Sequence, residues 1–169
     1  SISRDLVTRW VYPIVPDSGL LMDGDYALIP GTRNVYREQP NTIARSAKIE
    51  EGVVLARDVV IEDRVFLQRS IVGRNCVIHT HASVIESHLW AGVHIHNNAV
   101  VKQAILCEGC VVKSGACIGR GCILTRNVII GEGVVLPDYT RVSLKRKVSE
   151  GKDSSDEDAS DYDYDVVGP

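Results

Sequence analysis

The chain has 169 residues, 44% of them hydrophobic, which is enough for one domain with a real core and too long for a small disulfide-stapled scaffold. Its net charge of −3 is unevenly spread: residues 1–152 carry all 19 Lys and Arg with 15 of the 22 acids, and residues 153–169 carry the other seven acids and no base. A body of mixed sign without a concentrated basic field, no apolar run near ~20 residues and five Cys without a secretory leader lead to the expectation of a cytoplasmic protein that binds neither nucleic acid nor membrane.

Residues 1–42, with Trp10, Tyr12 and Tyr36, read as an N-terminal extension that packs on the rest of the chain. From Ile43 the chain is periodic. Aliphatic residues stand six apart at Ile43, Ile49, Leu55, Ile61 and Leu67, and a five-residue step leads to Val72, Ile78 and Val84. A second step leads to Leu89, Ile95 and Val101, and a third to Leu106, after which strict spacing of six runs to Val142. All 18 positions are Ile, Leu or Val, although these types make only 50 of the 169 residues. Four residues after most anchors stands a small or β-branched residue, with His88 as the exception. Gly or Asn precedes many of them, at Gly52, Asn75, Gly92, Asn98, Gly109, Gly115, Gly121, Asn127 and Gly133, where a tight corner needs positive φ.

Short flat segments with a bend every six residues bury no face alone, so they must coil and stack. The five-residue steps fall once per three segments and set a period of 17 from Leu55 to Leu106, then 18 to Leu124 and Val142. The expected fold is therefore all-β, a parallel β-helix of five to six triangular coils over residues 43–142, stacked at ~4.8 Å. After Val142 come Lys145, Arg146 and Lys147, suited to guarding an open sheet edge, and then acids interspersed with Ser154, Ser155 and Ser160. Residues 143–169 are expected to be a disordered, flexible acidic tail whose acid-flanked serines suit an acid-directed kinase.

Side chains one residue before an anchor point outward and form ladders. One reads Val60, Val77, His94, Val111, Ile129 and another Val54, Ile71, His88, Ile105, Ile123. Such apolar ladders call for cover, by the N-terminal extension on one and by a protein partner on the other. Trp90, directly after Leu89, is the leading interface residue. Five His occur at 79, 81, 88, 94 and 96, and His79 and His96, one coil apart, are expected to stack on the outside as solvated rings rather than as a metal site. Cys107 and Cys110 have CxxC spacing but diverge on this lattice, and Cys76, Cys110 and Cys122 fall inward as core filling. No residue is assigned as catalytic, cofactor-binding or metal-ligating.

Stretches such as Val72-Gly73-Arg74-Asn75-Cys76-Val77 and Ile130-Gly131-Glu132-Gly133-Val134-Val135 resemble the hexapeptide repeat of left-handed parallel β-helices, which alone implies the hand. The sequence Asp5-Leu6-Val7-Thr8-Arg9-Trp10-Val11-Tyr12-Pro13, then Arg33-Asn34-Val35-Tyr36-Arg37, Ser70-Ile71-Val72-Gly73, Leu89-Trp90-Ala91-Gly92-Val93 and Gly131-Glu132-Gly133-Val134-Val135-Leu136-Pro137, with the acidic tail, resembles the epsilon-subunit family of eukaryotic translation initiation factor 2B over residues 5–165. The resemblance implies an excised piece of a longer subunit, with a nucleotidyltransferase-like domain before it and a guanine-nucleotide exchange domain after it. It implies a non-catalytic assembly domain that pairs with the gamma subunit and meets initiation factor 2 through the full-length protein, with self-association of the isolated chain left open. Lacking the exchange domain, the chain is expected not to be an enzyme. The alternative is a trimeric hexapeptide-repeat acyltransferase that takes acyl-CoA between subunits and draws its catalytic base from His79, His88 or His94. The uninterrupted lattice favours the first reading.

Overall fold

From Gly52 to Tyr139, one residue in the left-handed region at each corner turns a two- or three-residue strand onto the next side of a triangle. All nine Gly and Asn positions expected at corners have φ between 56° and 70°. The computed structural model describes residues 26–29, 34–144 and 164–167, with no helix among them.

The strands form three faces. Face one stacks Val35–Glu38, Val53–Leu55, Ile71–Val72, His88–Leu89, Ile105–Leu106, Ile123–Leu124 and Arg141–Leu144. Face two stacks Asn41–Ile43, Val59–Ile61, Val77–Ile78, His94–Ile95, Val111–Val112 and Ile129–Ile130. Face three stacks Lys48–Ile49, Phe66–Gln68, Ser83–Ile85, Val100–Lys102, Cys117–Ile118 and Val135–Leu136. All pairs within these stacks are parallel, in the register the sequence lattice requires: Leu55 lies on Val72, Val72 on Leu89, Leu89 on Leu106, Leu106 on Leu124 and Leu124 on Val142. The core is the interior of the triangle. Sixteen of the 18 anchors are buried there, and Ile43 and Ile49, at the open first coil, are partly buried.

The solenoid starts earlier than the extension boundary at residue 42 allowed. Val35–Glu38 pairs in parallel with Val53–Leu55, and Asn41–Ile43 with Val59–Ile61. The lattice hid this rung because Arg37 occupies its anchor position, opposite Leu55. Arg37 is half-buried, which a long side chain tolerates near the end of the core because its aliphatic stem covers apolar surface while the guanidinium reaches water. Tyr26–Leu28 then pairs antiparallel on Val35–Glu38. At the other end Tyr164–Val167 pairs antiparallel on Arg141–Leu144, so these four residues of the expected flexible tail form a strand on an otherwise open sheet edge. The expectations for Trp10 and Tyr12, for the basic cluster at 145–147 and for the acidic serines lie outside the described residues.

His88 stops being an exception once the five-residue corners are seen in three dimensions. At these tighter corners the inward small residue comes one position earlier, at Ser70, Ser87 and Ala104, all buried. Arg69, Glu86 and Gln103 before them take the positive φ of 45°, 48° and 48°. The Ser70 hydroxyl donates to the Gln68 carbonyl at 2.7 Å and accepts the Ser87 N–H at 3.2 Å; the Ser87 hydroxyl donates to the Ile85 carbonyl at 2.7 Å and accepts the Ala104 N–H at 3.2 Å. Removing the hydroxyl in Ser70→Ala leaves the buried Ser87 N–H without this acceptor. Denaturant titration is expected to show a loss of about 1–3 kcal/mol, and a loss below about 0.5 kcal/mol would mean that the corner is held by packing alone.

Candidate docking surface and histidine corner

Alternation along each strand sends the residue before an anchor to the outside, and parallel register sets these residues one above another. On face two Val60, Val77 and Val111 are half-buried and Ile129 is 41% exposed. On face one Ile71, Ile105 and Ile123 are half-buried, while Val54 is buried beside its register partner Tyr36. His94 and His88 interrupt the two ladders in the same coil. The structure adds a third ladder on face three, Phe66, Ser83, Val100, Cys117 and Val135. The same rule, one residue before Leu67, Val84, Val101, Ile118 and Leu136, would have found it.

Trp90 stands 52% exposed at the corner between faces one and two. Gly73 lies against it one coil earlier, where a Cβ would come within 2.7 Å of the Trp90 carbonyl carbon, so the corner closes to this depth only with glycine there. Beside it an open depression of about 370 Å³ is lined by Asn75, Ala91, Gly92, Glu108, Gly109, Arg126 and Asn127. Arg126 Nη2 and Glu108 pair across its rim at 3.0 Å. Among the described residues the other large exposed hydrophobics, Ile129, Val134, Val135 and Tyr139, all lie in the last coil. Val134 holds a position that is inward in earlier coils, and it is exposed because no further rung follows on that side among the described residues.

The histidines do not converge. His88 is on face one, His94 on face two, and His79 and His96 at the corner between faces two and three. His79 and His96 stack with ring centroids 4.9 Å apart and planes inclined by 22°, as the coil period predicts. Glu62, one coil earlier, contacts His79 Nδ1 at 2.9 Å and accepts both the Thr80 N–H and hydroxyl. Those bonds, the Thr80 hydroxyl first, hold the Glu62 carboxyl below the ordinary carboxylate range. Burial pushes the His88 imidazole below the ordinary histidine range. Among the described residues no group of three or more His, Cys, Asp or Glu side chains is placed to hold a metal ion.

All five cysteines are free thiols. Cys76, Cys110 and Cys122 lie in the core and direct their Sγ atoms to the carbonyls of Trp90, Thr125 and Pro137 in the following coil. Burial pushes the Cys76 and Cys110 thiols up to about 11, so neither is a thiolate nucleophile at neutral pH. Cys107 is half-buried at the surface while Cys110 is in the core, which separates the CxxC pair as the lattice requires.

Residues 32–136 match the model of the family described as "EIF2B subunit epsilon LbH domain". Similar solved structures include a mutant of perosamine N-acetyltransferase from Caulobacter crescentus in complex with CoA and GDP-perosamine. It is 19% identical with a TM-score of 0.61, and the match covers 64% of this chain and 52% of that one. The acetyltransferase domain of PglB from Neisseria gonorrhoeae is 16% identical with a TM-score of 0.50, covering 83% and 63%. The chain thus spans less than two thirds of the length of either. These neighbours overturn the expectation that the chain is not an enzyme, because the same stack of coils carries acetyltransferases, one of them with CoA bound. At such identities the likeness establishes the fold alone.

Proposed function

The chain belongs to the family of EIF2B epsilon-subunit LbH domains, left-handed β-helices of a translation-factor subunit, and on that premise we propose that it is an assembly domain of that factor. It pairs the epsilon subunit with the gamma subunit in the cytoplasm. By the same attachment it fixes the position of a separate guanine-nucleotide exchange domain that meets initiation factor 2 in the full-length protein. The observation that carries this reading is the outer surface: largely apolar ladders on two faces, a mixed one on the third, and a tryptophan 52% exposed in the middle of the stack. A rigid stack of parallel rungs presents such ladders at fixed spacing, which suits a large, pre-organised protein interface.

The test is the molar mass of the chain by light scattering over a concentration series, alone and with excess gamma subunit, with acetyl-CoA titrated separately in a calorimeter. The expected result is a monomer or weak dimer that becomes a heteromeric complex. A tight trimer that ignores the gamma subunit and binds acetyl-CoA would overturn the reading in favour of acyl transfer.

A further inference from the structure

The corner between faces two and three carries a column of titratable side chains that docking leaves unused. Glu62, His79, His96 and Lys113 each directly follow an anchor, Ile61, Ile78, Ile95 and Val112, and so stand one coil apart in this order. His79 has Glu62 on one side at 2.9 Å and the His96 ring on the other at 4.9 Å. The backbone fixes the spacing, because His79 N–H donates to the Ile95 carbonyl and His96 N–H to the Val112 carbonyl, each at 2.8 Å. The remaining charged and titratable groups around the pair are Asp63, bonded to Ser46; Arg64, 3.3 Å from His81; His81 itself; and His94, two residues before His96 on face two. One carboxylate at one end of the column thus faces two imidazoles and an ammonium.

We propose that this column is a proton-operated weak point of the solenoid: neutral imidazoles pack ring on ring, and acidification sets two cations face to face beside Lys113, loosening the corner in the coil that also carries Trp90. Glu62 can neutralise the nearer ring, but the farther ring is flanked by positive groups on both sides. Burial first, and then the charges of His79, His94 and Lys113, hold the His96 imidazole below the ordinary histidine range. The sign follows from linkage: the unfolded chain takes this proton first, so stability falls as pH drops through the ordinary histidine range. The carboxyl of Glu62, held low, loses its contribution only in stronger acid and leaves that window undisturbed.

The experiment combines thermal unfolding of the full chain between about pH 7.5 and about pH 5.5 with proton NMR titration of the imidazole rings. The wild-type melting temperature is expected to fall over this range, and in His96→Asn or His79→Asn the fall is expected to shrink to about half. His81→Asn, which alters a ring outside the stack, keeps the full fall. In His79→Phe, which keeps an aromatic neighbour but removes its charge, the His96 ring takes its proton at higher pH than in the wild type, a shift that a merely structural stack would not produce. An unshifted His96 titration in His79→Phe, or an undiminished fall in His96→Asn, would overturn the proposal.

Discussion

Leu106→Ala is expected to lower the free energy of unfolding by about 2–5 kcal/mol, measured by denaturant titration followed by circular dichroism. Leu106 is fully buried, in the middle of the anchor column between Leu89 and Leu124. Collapse around the truncated side chain would have to bring neighbouring rungs closer, and the backbone forbids it. Trp90 N–H donates to the Leu106 carbonyl and Cys107 N–H to the Leu124 carbonyl, both at 2.9 Å, so the rung spacing is already set and the cavity stays open. Each coil also touches only its neighbours, so a fault in the middle uncouples the two halves of the stack. Ile43→Ala, at the partly buried first coil, is the comparison, with an expected cost of less than half as much. Equal costs at the two sites would show that the solenoid does not behave as a stack of nearest-neighbour rungs.

Trp90→Ala is expected to weaken association with the gamma subunit by about 30-fold or more, the effect of losing a central aromatic anchor, while the melting temperature stays close to that of the wild type. The fold is spared because the side chain is 52% exposed and the rung is held through its backbone. Tyr139→Ala, at the far end of the stack and 71% exposed, serves as the control and is expected to leave affinity unchanged. Titration calorimetry with the two variants decides the location of the interface. A wild-type affinity in Trp90→Ala with a large loss in Tyr139→Ala would move docking to the exposed cluster of Ile129, Val134, Val135 and Tyr139.

Much of the candidate site was legible because, on a lattice, a residue's direction follows from its distance to the nearest anchor. That arithmetic put Trp90 outside, stacked His79 on His96 and separated Cys107 from Cys110. It failed where residue type masked a lattice position. Arg37 concealed the first rung of face one, and the shortened corners moved the small residue to Ser70 and Ser87, where a buried hydroxyl does the work of a backbone turn. The third ladder obeyed the same rule, but a mixture of Phe66, Ser83, Val100 and Cys117 does not read as one surface in a linear sequence. The expectation of no enzymatic activity rested on a missing domain, an argument about the length of a chain and not about its fold, and the acetyltransferase neighbours removed its force.

The sequence by itself determined the rungs, the corners and the coil period of 17 and 18, because an aliphatic residue every sixth position and a tight bend between such positions are written into each hexapeptide, even though burial comes only with stacking. Tertiary structure decided which ends are capped, among the described residues by Tyr26–Leu28 and Tyr164–Val167 on face one, and which positions the last coil leaves exposed. It also decided that Glu62 meets His79 and that Ser70 serves Ser87. These depend on what lies one coil away, at a separation of 17 residues where no local preference reaches, and on how many coils remain before the stack ends.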